Sequence, residues 1–313
     1  MTPAARELAY ACRVRQATRG VLVLEARAGA VTAAPVAARL APRFLCDPRR
    51  PADGGLRPGS EAGAALAELT QVAGWLLFDA EQQRAAHRFS TLALTLARAS
   101  GDRASERLVL ATLAMQAAHL GRPGAALRLS GTALTAPRLT PRVAAVFRLR
   151  QAQAHALGGR RAAALRAVRH AHSLVLDGPA DRDPAWVWWV DEVETAGHLG
   201  LTYAALGAWH RAVDQLTAVT GAGGFRALFD AELLAAQLRC GAWRDAAALA
   251  ADLAARADRL QSARATRVLH RALRPLLTAP PTGPTPPAAV REAAHWLDAH
   301  LRVPHDGTTG RSS

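Results

Sequence analysis

The sequence predicts an all-α fold, a right-handed superhelical solenoid of about five helical hairpins followed by a capping helix. Three observations predict it. The run Leu199-Gly200-Leu201-Thr202-Tyr203-Ala204-Ala205-Leu206-Gly207, followed by Ala212 and Val219, has weaker copies on both sides; self-similarity at a fixed period is the mark of stacked helical units. Half of the 313 residues are apolar but only 5% are aromatic, and the abundant alanine suits helices packed through small side chains better than strands. One hairpin cannot bury its own apolar face, so copies must stack, and the inner face of the stack is the natural binding surface.

Taken in order, residues 1–60 predict an irregular, Pro/Arg-rich segment. Pro35, Pro42, Pro48, Pro51 and Pro58 with Gly54-Gly55 interrupt any long helix, leaving a short one around Arg6–Gln16. The repeat domain spans 61–277. Its hairpins align by one rule: a small residue, a turn near +7, alanine at +12 and a small or apolar residue at +19. The sets are Gly74, Glu81, Ala86, Ala93; Ala114, Gly121, Ala126, Ala133; Ala152, Gly159, Ala164, Ala171; Gly200, Gly207, Ala212, Val219; and Leu234, Gly241, Ala246, Leu253. This is the tetratricopeptide (TPR) pattern, whose ideal period is about 34 residues; longer intervals here place extra residues such as Gly178 to Pro184 between hairpins.

Residues Gln261 to Leu277 form the capping helix, with Leu260, Val268, Leu269, Leu273 and Leu276 on one face and arginines on the other. A Pro-rich linker occupies 278–287, an amphipathic helix 288–303 and a disordered tail 304–313. The amphipathic helix, with Val290, Ala294, Leu297 and Leu301 on one face, must dock on its own array or on a second subunit.

All 39 basic residues are arginine and the formal charge is +14; part of this reflects GC-rich coding. The charge is zoned: residues 1–59 carry ten arginines against four acids, 136–182 nine against two, and 183–220 one against five. No basic stripe with base-reading residues is visible in the linear order, so direct DNA binding is not expected. Cys12, Cys46 and Cys240 make no CxxC pair or disulfide framework, which fits a reducing cytoplasm. No secretory leader is expected, since no charged start is followed by an uninterrupted apolar run and a cleavage site, and the run Leu108 to Leu120 is too short to span a bilayer.

The stretch Leu69-Thr70-Gln71-Val72-Ala73-Gly74-Trp75-Leu76-Leu77-Phe78-Asp79-Ala80, with Ala86-His87-Arg88-Phe89 and Ala97-Arg98-Ala99-Ser100-Gly101-Asp102, resembles the opening repeat of actinomycete (Streptomyces-type) helix-turn-helix/TPR transcriptional regulators. Asp183-Pro184-Ala185-Trp186, Asp191-Glu192-Val193-Glu194 and Leu260-Gln261-Ser262-Ala263-Arg264 resemble the same proteins, so the likeness covers roughly 61–277. It implies a regulatory TPR region that senses a ligand or partner and dimerises. Members carry an N-terminal helix-turn-helix, for which residues 1–60 offer no tight-turned helix pair; the resemblance is thus to the sensor region, and it leaves a solitary sensor or effector module and a start codon lying upstream as the two expectations.

No catalytic constellation stands out. Lysine, a GxSxG elbow and HExxH are absent, and Gly221-Ala222-Gly223-Gly224 lacks dinucleotide-site spacing. His170 and His172, two apart on a helix, point in different directions. No cofactor or metal is expected. Repeat phase instead predicts a groove lining of Glu68, Gln71, Trp75, Phe78 and Asp79, then Met115 and His119, Gln153, Glu194 and Leu201, and Arg239, a mixture suited to a peptide, a protein partner or a small ligand. Each of these side chains has an alternative use in helix packing. Trp186, Trp188 and Trp189 ahead of Asp191 and Glu192 are either two buried tryptophans and one exposed, or an aromatic and acidic anchor for a cation. The expectation is a cytoplasmic, homodimeric regulator acting by binding, with an adaptor or a groove enzyme as alternatives.

Overall fold

The computed structural model describes residues 2–51, 57–220, 227–257, 260, 262–278 and 286–301. Among them it is all-helical, and it divides into two compact units, 1–219 and 220–313. The expected linker falls largely, and the tail and Gly221–Gly224 wholly, outside the described residues.

Unit 1 opens with α1 (Pro3–Leu45), broken at Gly29, whose backbone has φ 76 and ψ 171. The two limbs fold back on one another. The Tyr10 hydroxyl donates to the Phe44 carbonyl at 2.5 Å, and their rings meet edge to face; burial pushes the Tyr10 pKa up to about 12. This corrects the expectation of an irregular segment with a helix only over 6–16. Pro35 and Pro42 lie at exposed positions of the second limb, where the carbonyl each deprives of a partner can bond water. Each interior proline costs about 3 kcal/mol. Against that cost, Ala30, Ala33, Ala34, Ala37 and Ala41 form one fully buried stripe that packs with the first limb against the next helix. The apolar stretch of α1 is long enough by composition to cross a membrane, but it straddles the Gly29 break.

Four hairpins follow: α2 (Glu61–Asp79) with α3 (Gln83–Ser100), α4 (Arg103–His119) with α5 (Pro123–Leu134), α6 (Pro141–Leu157) with α7 (Arg161–Leu176), and α8 (Glu192–Ala205) with α9 (Trp209–Thr217). Side chains of Ser60, Asp102 and Asp191 cap α2, α4 and α8 by accepting from the third N–H inward, supplying partners to otherwise orphaned donors. The corner residues Glu81, Gly121, Gly159 and Gly207 all have φ between 60 and 69. Glu81 holds this left-handed conformation without being glycine, and its carboxylate is tied down by neighbours described below.

First helices touch directly, α2 with α4, α4 with α6 and α6 with α8, while each of α3, α5 and α7 packs on the first helices before and after it. Two layers result. The +12 alanines Ala86, Ala126, Ala164 and Ala212 are all buried, because the paired helices come closest there. At Gly200 a Cβ would stand 2.6 Å from Leu216 Cγ, and at Gly74 one would stand 2.7 Å from Ser90 Oγ and 3.1 Å from its backbone N.

Residues between α7 and α8 do not loop away. A 3-10 turn, Ala185–Trp189, folds back so that Trp186 Nε1–H donates to the Ala104 carbonyl at 3.0 Å. Val187 and Val190 are buried in one cluster with Leu110, Val143, Val146 and Leu149 of α4 and α6.

Unit 2 contains α10 (Ala227–Cys240), α11 (Trp243–Ala255), α12 (Ala263–Thr278) and α13 (Ala288–Leu301). The α10–α11 corner, Gly241, has φ 74. Leu234, Leu253, Leu269 and Leu273 form the core, and α13 docks on it through Ala294 and Leu297; the question left open by its amphipathic pattern is answered within its own unit. Asp230, buried, pairs with Arg256 at 3.0 Å.

Two stability outcomes follow. Gly200→Ala and Gly74→Ala should each lower the melting temperature, the overpacking cost of about 1–3 kcal/mol exceeding the gain in helix propensity. Gly131→Ala, at a helical position with open space around it, should raise stability by roughly 0.5–1 kcal/mol. Equal shifts in thermal unfolding for all three would refute this packing account.

The second outcome concerns Glu7, which joins α1 to the start of α2. It accepts from Ser60 Oγ at 2.8 Å and from Arg57, and Ser60 in turn accepts from Gly63 N–H. The Ser60 hydrogen bond above all, then the Ala62 N–H and Arg57, hold the Glu7 pKa below the ordinary 4.5 against the opposing effect of burial. A depressed carboxylate stabilises the fold above its unfolded pKa and loses that contribution as pH falls through the folded value. Glu7→Gln should therefore melt lower than the parent at pH 7, with the gap narrowing as pH drops below about 4.5; a gap independent of pH in melting curves from pH 3 to 8 would assign the effect to packing.

Candidate functional site: the first-helix layer of unit 1

Helix α2 is enclosed by α1, α3 and α4, so nearly all of it is buried. The positions left with solvent access run along one stripe: Glu61, Ala64, Glu68 and Trp75. Residues at spacings of three and four share a helix face, which is why this stripe ends at Asp79, mostly buried at the helix C-terminus.

Glu68 keeps one side open while protein surrounds the others. Burial raises its pKa, opposed by Arg15 and Arg19 of the first α1 limb and reinforced by Asp102. Arg15 itself pairs with Glu61 at 2.5 Å. At the other end of the stripe lies Glu25, also on the first limb of α1. Burial pushes its pKa up, and the Asp79 carboxylate pushes it further. Trp75 and Met115, both half-buried, pack into the cluster of Leu22, Leu24 and Val36 from α1.

The corner beyond Asp79 is cross-braced to the next hairpin. His119 Nε2 of α4 lies 3.0 Å from Glu81 Oε1, and the Gln83 amide donates to Glu81 Oε2 at 3.2 Å. Gln116 Nε2 donates to the Gln83 carbonyl at 2.8 Å. These contacts explain why a glutamate occupies a left-handed corner, a conformation that costs a non-glycine residue of order 1 kcal/mol: the charge bridges two hairpins.

The structure thus gathers Glu68, Trp75, Asp79, Met115 and His119 on one layer, and adds Arg15, Arg19 and Glu25. Other expected lining residues are used elsewhere. Phe78 is 1% exposed, a core residue whose ring meets His119 edge to face at 5.2 Å. Gln71 is spent on the α2–α4 contact, donating to Thr112 Oγ1 at 3.2 Å. Glu194 is buried, with its Oε1 3.3 Å from His198 Nε2 and its second carboxylate oxygen buried and without a hydrogen bond. Gln153 and Leu201 are half-buried on α6 and α8, and Arg239 is exposed on α10 of unit 2.

Of the tryptophans, Trp186 and Trp189 pack against the α4–α6 core, whereas Trp188 is 71% exposed. In a 3-10 turn, residues three apart eclipse one another, so the two packed rings share a side and the third points away. His172 Nδ1 is 2.9 Å from Thr195 Oγ1 while His170 is exposed, in line with their different directions. Among the described residues no group of three His, Cys, Asp or Glu side chains is placed to hold a metal ion.

Glu25 escaped sequence reasoning because it lies in the segment read as irregular. The signal that could have found it is the apolar stripe Tyr10, Val14, Val21 with the alanine stripe of residues 30–41, two helical faces flanking one glycine.

The raised Glu25 pKa has a definite sign. The folded state holds this proton more tightly than the unfolded chain, so the ionised carboxylate opposes folding above the ordinary acid range. Glu25→Gln should raise the melting temperature at pH 8 and leave it unchanged at pH 3.5; a lower melting temperature at pH 8 would mean that the carboxylate is a stabilising partner. No protein-family model matches the chain, and no curated protein matches it.

Proposed function

We propose that the chain is a non-catalytic binding protein of TPR type, its hairpins stacking as a right-handed superhelix, and that the first-helix layer of unit 1 receives a peptide, a protein segment or a small signalling ligand. The observation that carries this reading is the open stripe of α2. A helix enclosed on its other sides has no packing need for the exposed Glu68 on the face left accessible, and Trp75 on that face is only half-buried. Burial, reinforced by the nearby Asp79 carboxylate, raises the Glu25 pKa and favours a positively charged group beside it; perturbed acids concentrate at functional sites. Trp75 and Met115 offer the apolar surface beside it. The likeness of residues 61–277 to actinomycete TPR regulators supports a role in transcriptional or specialised-metabolism regulation, as a homodimer in the cytoplasm.

Photocrosslinking tests the reading. Met115 replaced by p-benzoylphenylalanine, in the full chain expressed in its own cell, should yield a discrete adduct that weakens when Glu25→Gln is added. The same probe at exposed Thr132 of α5 should yield none. Identical adducts at both positions, or none at either, would remove the layer as a binding surface, and a purified protein that converts a small molecule would replace binding by catalysis.

A further inference from the structure

Charge is distributed unevenly between the two layers of unit 1. Helices α3, α5 and α7, the second helices of three successive hairpins, contain no aspartate or glutamate, although the chain has 25 acids. GC-rich coding accounts for arginine in place of lysine. It does not account for the absence of acids from one layer.

The arginines of this layer are also in register. Counted from the buried alanine that closes each hairpin, Ala86, Ala126 and Ala164, the second following residue is Arg88, Arg128 and Arg166. All three are exposed. The row ends at the fourth hairpin, where the residue two beyond Ala212 is Asp214. Since equivalent positions of stacked hairpins project from equivalent faces, the three guanidinium groups form a ladder with one rung per hairpin. Around the third rung the field is positive enough to be felt by a neighbour: burial first, then Arg160 and Arg166, push the His155 pKa below its ordinary value.

From this geometry we infer that the α3–α5–α7 face binds the sugar-phosphate backbone of a nucleic acid, independently of base sequence. The rungs stand on α3, α5 and α7, each separated from the next by a first helix, so they recur once per hairpin along the face. Regular spacing fits a polymer whose charges are regular, and arginine's planar fork engages phosphate oxygens in pairs. A membrane surface fits less well, because the exposed large apolar residues on these helices are Leu92 and Leu176, with no exposed aromatic ring to insert. An acidic protein segment offers no matching periodicity. The inference stands apart from the first-helix layer and survives if that layer binds nothing.

The test is fluorescence anisotropy on the full chain with a labelled mixed-sequence DNA duplex of about 25 base pairs, titrated between about 50 and 200 mM salt. The variant Arg88→Gln/Arg128→Gln/Arg166→Gln should weaken binding by roughly tenfold or more and reduce the slope of log affinity against log salt by about 3, near one per lost phosphate contact. The control Arg6→Gln/Arg39→Gln/Arg43→Gln removes the same charge from exposed positions of α1, and it should leave the slope within about one of the parent. Both triples should keep the parent's circular dichroism and melting temperature. Equal losses in the two triples would show diffuse attraction by net charge and overturn the ladder. No binding by the parent at low salt, or tighter ladder-dependent binding of polyglutamate or anionic vesicles than of duplex, would overturn it as well.

Discussion

The unit 1 hairpins depend on how closely paired helices approach one another. At Gly200 and Gly74 the partner's atoms stand where a Cβ would go, and the alanines at the matching point of the second helices are buried completely or nearly so. Small residues at these points let one helix settle against the next within the ordinary interaxial range. Everything else in unit 1 follows from that contact: the corners have to reverse within two or three residues, the first helices come into direct contact, and α2 is surrounded until only one stripe meets water.

The same contact sorts side chains by layer. Burial raises the pKa of a carboxylate on this side, as Glu68 of α2 and Glu25 of the adjoining α1 limb show. A residue on the outer side of a second helix faces solvent, so arginine is accommodated at little cost. The layers thus differ in kind, one mixed acidic and aromatic, the other basic. The segment between α7 and α8 sharpens the first layer further, because Val187 and Val190 fill the α4–α6 contact.

Where the sequence was legible, the reason is local. A corner between antiparallel helices needs a left-handed residue, so Gly121, Gly159, Gly207 and Gly241 could be placed by inspection, and even Glu81 by its spacing. The small residues flanking each corner could be placed for the same steric reason. Legibility failed at the N-terminus, where Pro35 and Pro42 are strong local breakers. Their cost was outweighed by an alanine stripe whose value lies in its contact with α2, about twenty to fifty residues further along the chain. It failed again at Phe78, Gln71 and Glu194. Each has the right helical phase for a lining residue, but phase does not tell which neighbouring helix arrives to cover it.

By itself the sequence determined the helical class, the hairpin corners, the positions that must stay small and the boundary at Ser60, because each is a matter of backbone sterics or capping within a few residues. Only the tertiary structure decided that residues 3–45 are helical, that Glu25 faces Asp79, that the Trp186 segment folds back onto α4, and that the in-register arginines share a layer without acids. Those facts depend on which surfaces meet across long stretches of chain. A side chain's solvation, and with it its charge and availability, is set by the neighbour that packs against it.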